Sequence, residues 1–267
     1  MSESDTEPDD IGAGEPQTTY DKFLGGKVKL LQPKTRHHRS GLDAVMLAAS
    51  LPTDLTGRVV DLGAGAGAAG MCAAARVAGI SVTLVEREKT LLQLARQSLT
   101  LPANAQFAER IQILDADVTA PGRDRKERGL MPGMADHVIM NPPFYDTRHR
   151  ASPHEARAEA HALADGGLDR WCRTASDLLV SGGSVTLIFR ADGLADALEA
   201  MVGRFGQLIV FPIFPRSGEA AVRIILHGIR GSRGPMRLRE GLVLHRPESD
   251  FTPKVEAILR EGAGLVL

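Results

Sequence analysis

Four consecutive residues, Asn141-Pro142-Pro143-Phe144, place an amide, two prolines and an aromatic ring directly after the apolar run Val138-Ile139-Met140. Consecutive prolines remove two backbone donors and stiffen the chain. Pro142 also biases Asn141 toward extended dihedrals. A plain turn accounts for Asn-Pro-Pro but gives no reason for the aromatic residue. One chemistry uses all four. A planar amino group carries two N–H donors and a delocalised lone pair. The Asn141 side-chain oxygen can accept one hydrogen and the Pro142 carbonyl the other, while Phe144 stacks on the ring that bears the amine.

A second constellation could hold a nucleoside-like ligand. In Val59-Val60-Asp61-Leu62-Gly63-Ala64-Gly65-Ala66-Gly67, an apolar run ends in a glycine-rich turn and an alanine-rich segment opens behind it. Glycines at 63, 65 and 67 allow close backbone approach and dihedrals other residues avoid. The spacing G-x-G-x-G, with Asp61 ahead of it, is not the dinucleotide pattern G-x-G-x-x-G. Glu86 ends the next apolar run, Val82 to Val85, where a carboxylate can accept from both hydroxyls of a ribose. The competing reading of Glu86 is a charge at the start of the following helix. Asp117 closes Asp115-Ala116-Asp117 and could accept from an exocyclic amine of adenine; a solvated turn acid explains it equally well.

These groups need a frame that brings strand ends together. Apolar runs at Arg58 to Leu62, Ser81 to Glu86, Ile111 to Asp117, His137 to Met140 and Ser184 to Phe189 alternate with helical spacing, as in Leu91, Leu92, Leu94, Ala95 and Leu99 behind Glu88. Near-continuous apolar strands joined through helices predict a mostly parallel sheet covered on both faces. Two further runs, Leu208 to Phe214 and Ala221 to Ile229, are joined too closely for a helical crossover and predict an antiparallel hairpin. The fold class is therefore α/β, a Rossmann-like arrangement of seven strands with an antiparallel last hairpin. Ahead of it, Lys27 to Gln32 predicts a short strand. Ser40-Gly41-Leu42-Asp43 reads as a capping box, with Ser40 at the N-cap of a helix whose apolar stripe is Leu42, Val45, Met46 and Ala49.

In order and type, Asp61-Leu62-Gly63-Ala64-Gly65, Glu86, Asp117 and Asn141-Pro142-Pro143-Phe144 resemble class I S-adenosylmethionine-dependent methyltransferases of the amino-methylating kind. The upstream block, Phe23-Leu24-Gly25-Gly26-Lys27, Gln32-Pro33 and Arg39-Ser40-Gly41-Leu42-Asp43-Ala44, is similar to the subgroup of bacterial tRNA adenine-N6 methyltransferases. The resemblance covers roughly residues 20 to 245. It departs at His37-His38-Arg39, where relatives have Gly-Tyr-Arg, and at Phe144, which is often tyrosine. It implies S-adenosylmethionine as cofactor, with Gly63, Ala64, Gly65 and Gly67 behind the methionine part. It also implies Glu86 on the ribose, Asp117 with Val118 at the adenine, and Gly41 and Asp43 near the methionine end. Asp61 belongs to the same cofactor motif. Asn141 would serve cofactor and acceptor together.

Composition bounds the partners. Residues 1 to 19 hold six acids and no lysine or arginine, predicting a disordered acidic head. The remainder, 20–267, is expected to be one domain with a strand-helix extension over 20–55. Over the whole chain 32 Lys and Arg face 33 Asp and Glu; without the head's six acids the balance is +5. That permits an RNA partner, tRNA above all on the resemblance. Basic runs lie at Arg123, Arg125, Lys126 and Arg128, at Arg148 to Arg150, and at Arg230 to Arg239. Solvated faces are the ordinary reading of such runs, although the first two are expected to flank the pocket. Trp171 is expected to pack on a helix. His37 and His38 lack a third ligand, so no metal site is expected. Cys72 and Cys172 read as reduced thiols, and with no membrane span or signal pattern the expected location is cytoplasmic. The oligomeric state is left open. Three functions remain: adenine N6 methylation of RNA, transfer to guanine N2 or a protein glutamine amide, and a non-catalytic module that binds cofactor and RNA.

Overall fold

A computed structural model describes residues 18–34, 41–143 and 167–267. Nine strands form its main sheet, in the order β10-β8-β9-β7-β6-β3-β4-β5, with β11 also against β8. The central strands are β3 (Gly57–Leu62), β4 (Ile80–Glu86), β5 (Ile111–Asp115), β6 (Ala135–Met140) and β7 (Leu179–Arg190). All pair in parallel. β9 (Arg223–Arg230) inserts antiparallel between β7 and β8 (Phe205–Phe214), as the short connection requires. The expected seven strands are thus present. The edge adds two two-residue strands, β10 (Arg237–Leu238) and β11 (Leu242–Val243), too short to carry a periodic signal.

Both faces of the sheet are buried, which is why the strands lack alternation. Val59 and Ile139 enter one core; Val60, Leu62, Val138 and Met140 enter the other. The first core is covered by α1 (Leu42–Ala49), α2 (Ala68–Arg76) and α3 (Lys89–Leu99). Two short helices follow, α4 (Ala105–Ala108) and α5 (Gly122–Glu127). The second core is covered by α6 (Gly167–Leu178) and α7 (Leu194–Met201). Trp171, Cys172, Ala175 and Leu178 form the buried stripe of α6, at helical spacing. Both cysteines are free and buried, and burial pushes each thiol up to about 12.

The structure departs from expectation in three further ways, two of them in the N-terminal extension. First, the strand at Val28–Pro33 (β2) has an antiparallel partner, β1 (Thr18–Phe23), that sequence reading missed. Thr18 and Thr19, counted with the acidic head, belong to β1. Second, the N-cap of the helix is one residue later than expected. The N-cap of α1 is Gly41, with no side-chain cap bond. Asp43 turns instead to Arg223 at the start of β9, Nε to Oδ2 2.9 Å, because an opposite charge is the stronger partner. Third, β5 stops at Asp115, leaving Asp117 on the loop beyond it. Residues 1–17, His37 to Ser40, Phe144 and Arg148 to Arg150 lie outside the described residues.

Candidate functional site

The glycine turn sits at the carboxyl edge of the sheet. Gly63, Gly65 and Gly67 have φ of 66°, 59° and 95°, values that side chains other than glycine resist. The turn is fixed by its backbone: the Ala64 N–H donates to the Val85 carbonyl at 2.9 Å, and Gly67 N–H to the Ala64 carbonyl at 2.8 Å. A Cβ on Gly63 would run into the ring of Trp171, and one on Gly67 would press on Leu84 and Met71. A Cβ on Gly65 would meet nothing within 4 Å. The turn is therefore packed from beneath and open at its apex.

Three acids surround it, each held differently. Asp61 is 2% exposed and its Oδ2 accepts from the Gly70 N–H in the first turn of α2, at 2.8 Å. Burial pushes its carboxyl up to about 7; the Gly70 bond opposes this and the charge of Glu86 adds to it. Glu86 accepts from Gly65 N–H at 2.9 Å through Oε2, and from the Arg87 and Glu88 N–H groups through Oε1. It thus ties the apex of the glycine turn to the start of α3. Asp117 accepts from the Thr119 backbone and hydroxyl through Oδ1, both at 2.7 Å, and from Arg87 through Oδ2 at 3.0 Å. Burial alone would raise the Asp117 carboxyl, but the Thr119 and Arg87 bonds hold it below its ordinary value. A carboxylate offers about four lone-pair sites, so both Glu86 and Asp117 keep room for a ligand hydrogen.

Asn141 completes the edge. Met140 pairs with Leu62 across β6 and β3, so Asn141 and Gly63 each stand one residue past that pair. The Asn141 side-chain oxygen is buried and, among the described residues, has no hydrogen-bond partner. Leaving a buried acceptor unpaired costs ~1–3 kcal/mol, so such atoms are uncommon and call for a cause. Pro142 behind it is buried and Pro143 exposed.

The structure gathers Asp61, Gly63, Ala64, Gly65, Gly67, Glu86, Asp117 and Asn141 at one edge. The Val118 side chain enters the second core while its carbonyl accepts from Thr174, and among the described residues its N–H has no protein acceptor. Asp43 reaches the same edge through Arg223, which faces Arg190 at the end of β7. The basic runs divide. Arg125 is buried between Thr174 and Asp177, and Arg123 pairs with Glu127. Arg230 holds the Leu179 carbonyl at the opposite edge of the sheet. Sequence reading missed two roles: Trp171 as the support under Gly63, and Arg223 as the anchor of Asp43. Neither carries a local motif; both depend on residues more than 100 positions apart. Among the described residues no cluster of His, Cys, Asp and Glu could hold a metal, and no helix is long and apolar enough to cross a membrane.

Residues 39–210 match the family described as methyltransferase small domain. The chain belongs to this family. A tRNA1(Val) (adenine(37)-N6)-methyltransferase from Shewanella sp. (strain MR-4) is 29% identical over 221 residues, 82% of this chain and 89% of that protein. One of the same name from Aeromonas hydrophila is 25% identical over 80% of this chain and 85% of its own length. A crystal structure of a predicted O-methyltransferase from Agrobacterium tumefaciens aligns with a TM-score of 0.73 and 41% identity, over 84% of this chain and 99% of that one. The chain is thus an S-adenosylmethionine-dependent methyltransferase. Its carboxyl edge fits that cofactor: a glycine turn open at Gly65, acids on successive strand ends, and a buried acceptor without a partner.

Proposed function

We propose that this methyltransferase acts on a planar amino nitrogen, foremost N6 of adenine in tRNA. The observation that carries the reading is the buried Asn141 oxygen beside the glycine turn, without a partner among the described residues. An amine donates the hydrogen that this acceptor lacks. The relatives named as tRNA adenine-N6 methyltransferases support the same acceptor.

Glu86 would accept from the ribose, Asp117 and the Val118 N–H would meet the adenine, and Gly63 to Gly67 with Gly41 and Asp43 would line the methionine end. Bound there, the cofactor supplies an electrophilic methyl group. Asn141 and the Pro142 carbonyl then accept the two amino hydrogens, which turns the nitrogen lone pair toward the methyl carbon. Such alignment is worth up to ~7–11 kcal/mol in favourable cases. Both oxygens stabilise positive charge as it develops on nitrogen. The nitrogen releases its proton to water after transfer, so no strong base is required. Phe144 would stack on the extruded base.

The test is radiolabelled methyl transfer to bulk tRNA, ribosomal RNA and protein extract, followed by nucleoside mass spectrometry. N6-methyladenosine in tRNA is the expected product. Label confined to protein, to guanine N2 or to a hydroxyl would replace this reading with another acceptor.

A further inference from the structure

The outer face of the β1–β2 hairpin is a second exposed surface whose chemistry has no internal use. Antiparallel register puts Tyr20 opposite Leu31, Lys22 opposite Lys29 and Thr18 opposite Pro33, so these six share one face. Val28, Leu30 and Gln32 are buried beneath, Pro33 at the open end is buried too, and Leu31 packs partly against the first core, so the exposed part of the face is the β1 side with Lys29. Thr18, Tyr20, Lys22 and the following Lys34 are exposed. Tyr20 is 48% exposed. The Lys29 ammonium lies over its ring, 5.7 Å from the centroid, which braces the ring against the hairpin. Among the described residues, no carboxylate pairs with Lys22, Lys29 or Lys34. Asp21, the acid within β1, lies on the other face, where its Oδ2 accepts from Thr19 at 3.1 Å and Gln32 at 2.8 Å.

We infer that this face docks the backbone of the substrate RNA, with Tyr20 as a base-stacking platform and Lys22, Lys29 and Lys34 as phosphate contacts. The inference rests on the RNA reading above and adds where the body of that RNA lies. Charge complementarity selects the occupant: three ammonium groups without acids, beside a braced aromatic ring, match a strand of phosphates interleaved with flat bases. The hairpin also connects to the site. Its open end, Thr18 and Pro33, leads through Lys34 and six further residues to Gly41, the N-cap of α1, whose first turn holds Asp43. An RNA strand that follows β2 toward Lys34 is thus led along the chain toward the helix that carries Asp43. A lysine-rich face with one aromatic residue also suits an anionic membrane surface, and that occupant is an outcome of the test.

The experiment measures binding of bulk tRNA to the full chain by fluorescence anisotropy across a salt series. It compares the wild type with Tyr20→Ala and with Lys22→Gln/Lys29→Gln/Lys34→Gln. Calorimetric cofactor affinity and melting temperature report whether each variant is folded. The triple variant is expected to flatten the logarithmic salt slope by about two to three, and Tyr20→Ala to weaken binding about tenfold. Cofactor affinity stays at the wild-type value in both. Wild-type tRNA affinity and slope in the folded variants would overturn the docking face while leaving the RNA reading intact. Failure of the wild type itself to bind tRNA would overturn both. Binding only to vesicles of anionic phospholipid, lost in the triple variant, would reassign the face to a membrane.

Discussion

The two ends of β6 are built to opposite rules. At its amino end, Asp136 receives the Arg58 backbone N–H at 2.8 Å and the Arg58 guanidinium through both oxygens, at 3.0 and 3.1 Å. The Arg58 hydrogen bond, opposed by partial burial, holds the Asp136 carboxyl below its ordinary value. Next to it, His137 bonds to Ser184 at 2.8 Å and to the Thr56 carbonyl at 3.3 Å. At the carboxyl end, five residues on from Asp136, the Asn141 oxygen has no partner among the described residues. Polar groups at the amino end complete one another; those at the carboxyl end are left with acceptor capacity. On the function proposed above, this difference within one strand separates residues that hold the sheet from residues kept for a ligand.

The comparison can be broken at either end. The largest effect is expected from Gly65→Val. Its φ of 59° strains any side chain, and the added methyls enter the open apex of the turn. Calorimetry should find no cofactor binding, and normal binding would remove the turn from the site. Glu86→Ala comes next. It deletes the carboxylate tying Gly65 to α3 and the proposed ribose acceptor, so cofactor affinity should fall about 10- to 150-fold, the equivalent of ~1.5–3 kcal/mol. An unchanged dissociation constant would leave Glu86 as a helix-terminus charge alone.

Asp61 gives a pH signature. Its folded-state value of about 7 lies above that of an unfolded aspartate, ~3.9. Its stabilising contribution is therefore full below pH ~4 and is lost as pH rises through about 7. Asp61→Asn should flatten the fall in melting temperature between pH 5 and 8; an unaltered slope in the variant would contradict the burial argument. Asp136→Ala should do least. Its pair with Arg58 is largely exposed and screened by solvent, so the expected change in melting temperature is small, with turnover unchanged. A collapse of activity there would abolish the contrast between the two ends.

Much of this arrangement was legible in the chain. Continuous apolar runs such as Val59 to Leu62 and Val138 to Met140 announce strands buried on both faces, and the short link between β8 and β9 dictates their hairpin. Glycines 63, 65 and 67 announce the turn because positive φ leaves few alternatives. What sequence could not supply were contacts set by tertiary packing. Asp43 looked like a capping residue because its spacing from Ser40 is local, whereas its actual partner, Arg223, lies 180 residues away. β1 was hidden because its inward face, Thr19, Asp21 and Phe23, carries a single apolar residue and so gives no alternating signal. Trp171 looked like ordinary helix packing because nothing near it in sequence points to Gly63. The acceptor chemistry of Asn141 was readable from its residue type, but its missing partner is a fact of three dimensions.

That missing partner is the most direct point of attack. Asn141→Ala removes the buried oxygen, for which the described residues offer no hydrogen-bond partner. Single-turnover methyl transfer to tRNA, measured alongside cofactor affinity and melting temperature, should show transfer falling by ~100- to 1000-fold, cofactor binding largely kept and the fold no less stable. A variant that transfers methyl at the wild-type rate, or that loses stability instead of activity, would contradict the account.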